Sequence, residues 1–583
     1  MSSKKTLIFI LLKISNSNKN QIDLMDIPDY IRDRYWKDFL PSGMSLEINI
    51  PEDMSLAELF KNGAQEFGNS ISMNYYGREF TFNEMDTLTR RFARGLQNQG
   101  VKKGEIVAIW LPNSPYFSFA YFAALSLGAT LTALSPLLVA REVQYQIEDS
   151  GAKFLILIDK FYSQYERIQN ELNLDKVIIV NVEGNVPDIP ETEKVIHFNS
   201  IMNQNLSPLT DSELKVNIDP KKDIAVIQYT GGTTGLPKGA CLSHYNIIAN
   251  IFQMKQISDY MKNEYIKSNF IILSVLPWYH IYGQTCELAQ APLIGAKAYV
   301  LATFDLPKIL EIIEMNKPNL ILGVPTMFIN LLNYPESKNV DFSSLKYANV
   351  GAGSLPTEIF KSWKEKTGFE MGEGYGLSET SPTVTNSPPW ARKKYGSCGH
   401  PVANTLVGII DENLNFLPIG EAGELVVSGP QVMLGYLNRP EENQEVFFEA
   451  GGFRWFRTGD FAKLDEEGYI FILDRVKDMI KYKGHSVYPR EIEEILYEHP
   501  AIMECSVFGI PDPEKGEEIV VYVILKQEYK GKINEEAIIN FAKENMAAYK
   551  YPRIIKFVRS LPKSAVGKVL RRIIREKEEK KRS

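Results

Sequence analysis

The stretch "YTGGTTGLPKGA", Tyr229 to Ala240, holds four glycines, three threonines and one lysine in twelve residues. Glycines allow close backbone approach, threonine hydroxyls add donors, and successive N–H groups can form an anion-binding nest. Phosphate is the ligand such a composition suits. The common nucleotide loop needs a hydroxyl residue directly after its lysine to ligate magnesium. Here Pro237 precedes Lys238 and Gly239 follows it, so that pattern fails on both flanks. A merely flexible glycine turn would leave Thr233, Thr234 and Lys238 unexplained. The candidate phosphate contacts are therefore Thr230, Gly231, Gly232, Thr233, Thr234, Gly235 and Lys238. The strand "AVIQYT" is expected to enter this loop and the helix "SHYNIIANIFQM" to follow a few residues later.

Further chemistry-bearing stretches occur along the chain. "LPWYHIYG" contains His280, and "GAGSLP" spans Gly351 to Pro356. "EGYGLSET" spans Glu373 to Thr380, and "WFRTGD" ends in Asp460. "LDRVKDMIKYKG" carries Arg475 and Lys477, and "LPKSAVGKVLRR" carries Lys568. Singly, a buried tyrosine or an Arg–Asp pair is ordinary structure, and a lone histidine is more often a satisfied core residue. In this order, over roughly residues 55 to 575, the set resembles the adenylate-forming superfamily of acyl-CoA synthetases, luciferase and peptide-synthetase adenylation domains.

That resemblance implies roles. The glycine- and threonine-rich loop embraces the β- and γ-phosphates of ATP. Tyr375, between Gly374 and Gly376, stacks on adenine; Ser378 meets the α-phosphate; Glu379 ligates Mg²⁺; Asp460 and Arg475 hold the ribose. Gly351 and Ala352 border the nucleotide, while Tyr279, His280, Gly283, Gly323, Val324 and Gly351 border the acyl group. Lys568, Lys238, Glu379 and His280 form the catalytic set, with Lys568 as the adenylation lysine. Lys477 marks a hinge, and Lys481 and Gly484 would swing in for a second step that uses coenzyme A. ATP, Mg²⁺, coenzyme A and a carboxylic acid are thus the implied ligands, and the implied reaction is acid activation through an acyl-adenylate followed by thioester formation.

The resemblance also narrows the acid. "PWYHIYG" lacks the aspartate that peptide-synthetase domains use to hold an ammonium group. Gly374–Tyr375–Gly376 lacks the tryptophan that closes acetate-specific pockets, and Val426 and Val427 stand where coumarate ligases carry a cysteine. "GPQVMLGYLNRPEENQEVF" and "KDMIKYKGHSVYPREIEEILYEHP" look most like fatty acid–CoA ligases. An aryl, branched or hydroxy acid is the alternative within enzymes. A non-catalytic nucleotide- or acyl-binding module is the alternative outside them, disfavoured by the intact Lys238, Glu379, Asp460, Arg475 and Lys568.

These residues need elements to position them. The 583-residue chain is 44% hydrophobic and 23% charged, as in ordinary globular proteins. Its net charge of −7 argues against a nucleic-acid partner. Cys241, Cys286, Cys398 and Cys505 are scattered, the six histidines lack metal-ligand spacing, and a reducing cytoplasm is expected. The run "LIFILL", Leu7 to Leu12, is too short for a signal or a membrane span and reads as a frayed or partly docked extension. Buried strands alternate with helices to about residue 370, predicting helix-covered parallel sheets in an α/β fold. After about 395 the texture becomes short antiparallel strands, and about 478 to 583 reads as a small α+β domain. The expected division is an extension over 1–45, a large N-terminal domain over 46–476, and a small mobile domain over 477–583 hinged at Lys477. A helix in "FTFNEMDTLTRRFARGLQNQG" is predicted with Asn83 as its cap and Gly100 as its stop. The tail "RRIIREKEEKKRS" reads as a solvated helix end, with weak contact to acidic lipid as the minor reading. A homodimer rests on family analogy alone.

Overall fold

The computed structural model describes residues 26–183, 185, 188–203, 206–230, 236–475, 477–564 and 567–582. "LIFILL" and most of the glycine-rich loop, Gly231 to Gly235, lie outside them.

Two large sheets carry the N-terminal part. In one, six parallel strands run in the order Gly372–Gly376, Tyr347–Val350, Leu320–Gly323, Ile271–Ser274, Lys297–Val300 and Ile71–Tyr75, with antiparallel strands at both edges. The other centres on parallel strands Ile224–Thr230, Thr130–Ala133, Ile106–Trp110, Phe154–Ile158, Lys176–Val180 and Val195–His197. Parallel strands are covered on both faces and so read as near-continuous apolar runs; every residue of "FLILI", Phe154–Ile158, is buried. Helix Pro115–Ser126 is buried all round, consistent with its lack of a polar face.

Two sequence expectations shift. Helix Phe82–Asn98 starts one residue before Asn83: Thr81 accepts from the Glu84 N–H at 3.2 Å and Glu84 accepts from the Thr81 N–H at 2.8 Å. This reciprocal pair satisfies two orphan donors at once, which a lone Asn83 side chain would not. The glycine-rich loop is followed by a strand, Lys238–Ser243, before helix His244–Glu264 begins. That strand pairs antiparallel with Ile224–Thr230, with Thr230 opposite Lys238.

A five-stranded antiparallel sheet follows, built from Leu406–Ile410, Ala422–Ser428, Phe453–Leu464, Phe447–Ala450 and Ile470–Arg475. Residues of the amino-terminal extension dock on it: Ile27 and Ile31 pack with Leu406, Val426 and Trp455, and the Tyr30 hydroxyl donates to Leu417 O. Beyond Arg475, long strands Ile502–Asp512 and Gly516–Leu525 and helices Pro489–Tyr497 and Glu535–Asn545 enclose a separate core.

The carboxyl-terminal helix Arg571–Arg582 is docked rather than solvated. Ile574 and Glu578 are buried, and Glu578 accepts from Tyr522 Oη at 2.6 Å and pairs with Lys556. Arg571 reaches Asp474 at 2.8 Å and Glu493 at 2.6 Å, tying the helix to the last strand before residue 476. Arg571 and Glu578 find their partners inside the fold, so a helix that looks uniformly polar has a defined inner face.

Arg571→Ala leaves those two carboxylates without their cation. Breaking such a partly buried pair costs about 3 kcal/mol. Faster protease cleavage near residues 476–478 and a lower melting temperature are the expected results; unchanged cleavage would show that Arg571 does not hold this arrangement.

Candidate active site

Parallel strands deliver their carboxyl ends to one crevice, the usual ligand position in open α/β sheets. A single cavity of about 1420 Å³ opens there. Its lining draws on Thr230 and Lys238, on Tyr279 and His280, on Val324, Gly351 and Ala352, and on Gly374 to Glu379. Asp460, Arg475, Lys477 and Lys568 line it as well.

Thr230 and Lys238 stand opposite each other at the ends of two antiparallel strands, and the glycine-rich segment between them lies outside the described residues. Lys238 leaves the hairpin at the first residue of its strand, with Nζ 5.2 Å from the centre of the Tyr436 ring and 3.7 Å from Glu442. Tyr436 Oη donates to Glu379 Oε1 at 2.7 Å. Glu379 is buried, and burial is the main cause that raises its pKa. Tyr436 thus orients the carboxylate beneath the lysine. A divalent cation shared with phosphate oxygens requires only one or two protein carboxylates, and the single, braced Glu379 fits that need. Among the described residues no cluster of three or more metal-ligating side chains exists.

Farther along the cavity, Tyr375 Oη donates to Asp460 Oδ2 at 2.6 Å while Arg475 Nε lies 3.5 Å from Asp460 Oδ1. Asp460 pairs with Arg475 across neighbouring antiparallel strands, which fixes both side chains on one face. The buried carboxylate still presents acceptor capacity to a diol, and the Tyr375 ring beside it offers a stacking face.

His280 precedes helix Ile281–Gly283, and its Nδ1 accepts from the Tyr282 N–H at 3.2 Å. That bond assigns the remaining proton to Nε2. Burial first, and the charge on Lys568 second, lower its pKa to about 4. The ring is therefore neutral at pH 7, with Nε2–H available as a donor. The preceding loop is clamped: Asn113 Nδ2 donates to Leu276 O at 2.8 Å, and Trp278 N–H donates to Asn113 Oδ1 at 2.7 Å.

Lys568 arrives from the C-terminal part on a tight turn in which the Ser564 N–H donates to Lys568 O at 2.7 Å. Gly567 sits at φ +79°, and a Cβ there would lie 2.8 Å from Thr326 Oγ1 and 3.3 Å from Val324 Cγ2. Only glycine allows the turn to seat this closely against the large domain. Water reaches the Lys568 side chain, yet the Arg475 charge first and desolvation second lower its pKa to about 8.

Some sequence candidates stand apart. Gly283 and Gly323 are packing positions outside the cavity lining, where a Cβ would strike Pro277 O at 2.5 Å or the Phe328 ring at 2.8 Å. Lys481 and Gly484 lie on the hairpin Ile480–Tyr482 and His485–Val487, exposed, with Lys481 Nζ donating to Ser486 Oγ at 3.0 Å. Tyr436 and Asn113 were missed by the sequence reading. Tyr436 lay within "GPQVMLGYLNRPEENQEVF", which bore on the choice of acid and not on a partner for Glu379, and nothing local marks Asn113 as partner to a loop more than 160 residues away.

The chain matches the AMP-binding enzyme family over residues 60–437 and the AMP-binding enzyme C-terminal domain over 491–568. A long-chain-fatty-acid–CoA ligase of Bacillus subtilis is 36% identical over 561 residues, covering 93% of this chain and 98% of that protein. A 4-coumarate–CoA ligase of Humulus lupulus is 31% identical over 555 residues, covering 94% and 98%. Among solved structures, ATP-bound MatB from Rhodopseudomonas palustris superimposes with a TM-score of 0.80 at 27% identity, covering 91% of this chain and all of that one.

A lysine with a pKa of about 8 is largely neutral by pH 9 and is the form that reacts with electrophiles. Competitive acetic anhydride labelling should modify Lys568 with a midpoint near pH 8, and Arg475→Ala should move that midpoint upward. A midpoint at the ordinary lysine value of about 10.4, in both proteins, contradicts the electrostatic assignment.

Proposed function

The chain belongs to the AMP-binding enzyme family, and from that premise we propose that it is an ATP-dependent, AMP-forming ligase that joins a long-chain fatty acid to coenzyme A. The observation that carries this reading is the convergence of Lys568, His280, Glu379 and the Asp460–Arg475 pair on one cavity. The long-chain-fatty-acid–CoA ligase likeness over nearly the whole chain supports the choice of acid.

In the first step a carboxylate oxygen attacks the α-phosphorus of ATP, the bond to the β-phosphate bridging oxygen breaks, and pyrophosphate leaves. Both reactants are anionic, so the barrier is largely electrostatic. Protonated Lys568 screens the approach and steadies charge on the transferring phosphorus. Lys238, Ser378, and the loop residues Thr230, Gly231, Gly232, Thr233, Thr234 and Gly235 receive the phosphates. Bound Mg²⁺, held by Glu379, would neutralise phosphate charge. His280, neutral and with Nε2 protonated, donates to the acid's carboxylate and orients it. Tyr375, Gly374, Gly376, Gly351 and Ala352 border the base, while Asp460 and Arg475 hold the ribose. No covalent enzyme nucleophile is required; positioning suffices.

In the second step the thiolate sulfur of coenzyme A attacks the acyl carbonyl and AMP departs. Lys568 occupies the cavity in the arrangement described, so the small domain must turn about Lys477 to admit the thiol. Lys481 and Gly484, now exposed, are the residues this turn would bring forward. We assign the division at residues 476–477 to this motion, and the cytoplasm as the compartment because ATP and coenzyme A are the co-substrates. No helix among the described residues is long and apolar enough to cross a membrane.

The test is carboxylate-dependent ATP–pyrophosphate exchange without coenzyme A, over straight-chain acids from acetate to palmitate and over aryl acids. Exchange that rises with chain length is expected. Lys568→Ala should lower it about 100-fold or more, since one well-placed donor contributes about 3 kcal/mol to such a barrier, while ATP binding is largely kept. Exchange confined to aryl acids, or unchanged in Lys568→Ala, contradicts the reading. The depressed lysine pKa also sets a sign: the charged form is lost as pH rises, so kcat/KM for ATP should fall above about pH 8. A rate flat from pH 7 to 10 would remove Lys568 charge from the mechanism.

A further inference from the structure

The part of the cavity beyond His280 is walled on one side by Tyr282, Cys286, Gln290 and Ile294. Gln284–Ala289 form a π-helical segment, whose turn of more than four residues keeps Tyr282, Cys286 and Gln290 on one side. Gln290 therefore stands about two helical turns beyond Tyr282. Helix His244–Glu264 faces it with Met254, Ile257 and Ser258, and Ile272, Leu320 and Leu322 complete the enclosure. Hydrocarbon should be the natural content of such a chamber, yet its far end is not purely apolar.

Gln290 Nε2 donates to Ser258 Oγ at 3.3 Å, and both residues are buried, at 7% and 4% exposure. Gln290 Oε1 and the Ser258 hydroxyl hydrogen find no partner among the described residues. One open acceptor and one open donor therefore sit side by side on the wall. The sheet side of the cavity is polar too. Asn386 Nδ2 donates to Asn349 Oδ1 at 3.4 Å, while Asn386 Oδ1 is buried without a partner. Asn349 pairs with Gly372 and Asn386 with Gly374, so by strand alternation both face away from Tyr375 and the nucleotide. Leaving Asn386 Oδ1 buried and unmatched is unfavourable, and a chamber serving only plain alkyl chains would carry leucine in place of Gln290.

We propose that Ser258 and Gln290 form a recognition site for a hydroxyl group carried on the acyl chain far from its carboxylate, so that the preferred acid is a hydroxylated long-chain fatty acid. A hydroxyl is the group that answers both open positions: it donates to Gln290 Oε1 and accepts from the Ser258 hydroxyl. A ketone would answer only Ser258. The proposal rests on the fatty acid–CoA ligase reading and narrows its substrate class.

The experiment is pyrophosphate exchange with palmitate and with its monohydroxy positional isomers, using the wild-type chain, Gln290→Leu and Ser258→Ala. In the wild type, at least one isomer hydroxylated in the distal half of the chain should exceed palmitate about 10-fold in kcat/KM. Gln290→Leu should reverse that order, and Ser258→Ala should narrow it, each with little change for palmitate itself. Palmitate equal to or better than every isomer in the wild type would overturn the proposal while leaving the ligase reading intact. A uniform loss across all acids in Gln290→Leu would likewise overturn it, because that marks a structural role. Absence of exchange with every long-chain acid would overturn both readings. The wild-type comparison needs no variant to fold.

Discussion

Bringing a carboxylate to a triphosphate means moving one anion against several others, and the rest of the molecule is arranged around that repulsion. Positive charge must converge from separate parts of the chain without a bulk counter-ion shell to soften it. Lys238 enters from a hairpin of one sheet and Arg475 from the antiparallel sheet. Lys568 enters from the small domain on a turn that closes against Thr326 and Val324. Such convergence is costly, as the lowered pKa of Lys568 beside Arg475 records. The charge of Asp460 partly offsets it, and so would the phosphates of a bound nucleotide.

The same constraint accounts for the two-part architecture. On the proposed mechanism, a lysine needed beside the reacting carboxylate in one step blocks the path of a thiol in the next. Placing it on a separately cored domain makes it removable. The links that seat the domain are largely polar: Arg571 to Asp474, Arg490 to Asp474, to Ile472 O and to Gly396 O at 3.2 Å, Thr357 to Glu494, and Thr326 to Gly567 O at 3.4 Å, beside one stacked pair, Phe461 on Tyr488. A hydrophobic seam would fix one arrangement, whereas exchangeable hydrogen bonds permit two.

Much of this was legible in the sequence because short apolar runs mark buried strands and because the chemistry-bearing residues occur in local clusters. The alternation up to residue 370 and the change to antiparallel pairing afterwards appear as read. What escaped depends on partners distant in sequence. Asn113 clamps the His280 loop, and Tyr436 orients Glu379, across separations that no local pattern encodes. The carboxyl-terminal helix looked solvated because its charges were counted without their buried partners, Asp474, Glu493 and Tyr522. The strand from Lys238 has no apolar run to mark it between loop and helix; its pairing with Ile224–Thr230 creates it.

The central claim is that Lys568 serves acid activation alone and must withdraw before thioester formation. The most direct measurement supplies purified acyl-adenylate and coenzyme A to the Lys568→Ala protein in a single turnover, bypassing ATP. Thioester formation within a few-fold of the wild-type rate is the predicted result. A loss as large as that seen in adenylate formation would place Lys568 in both steps and contradict the account.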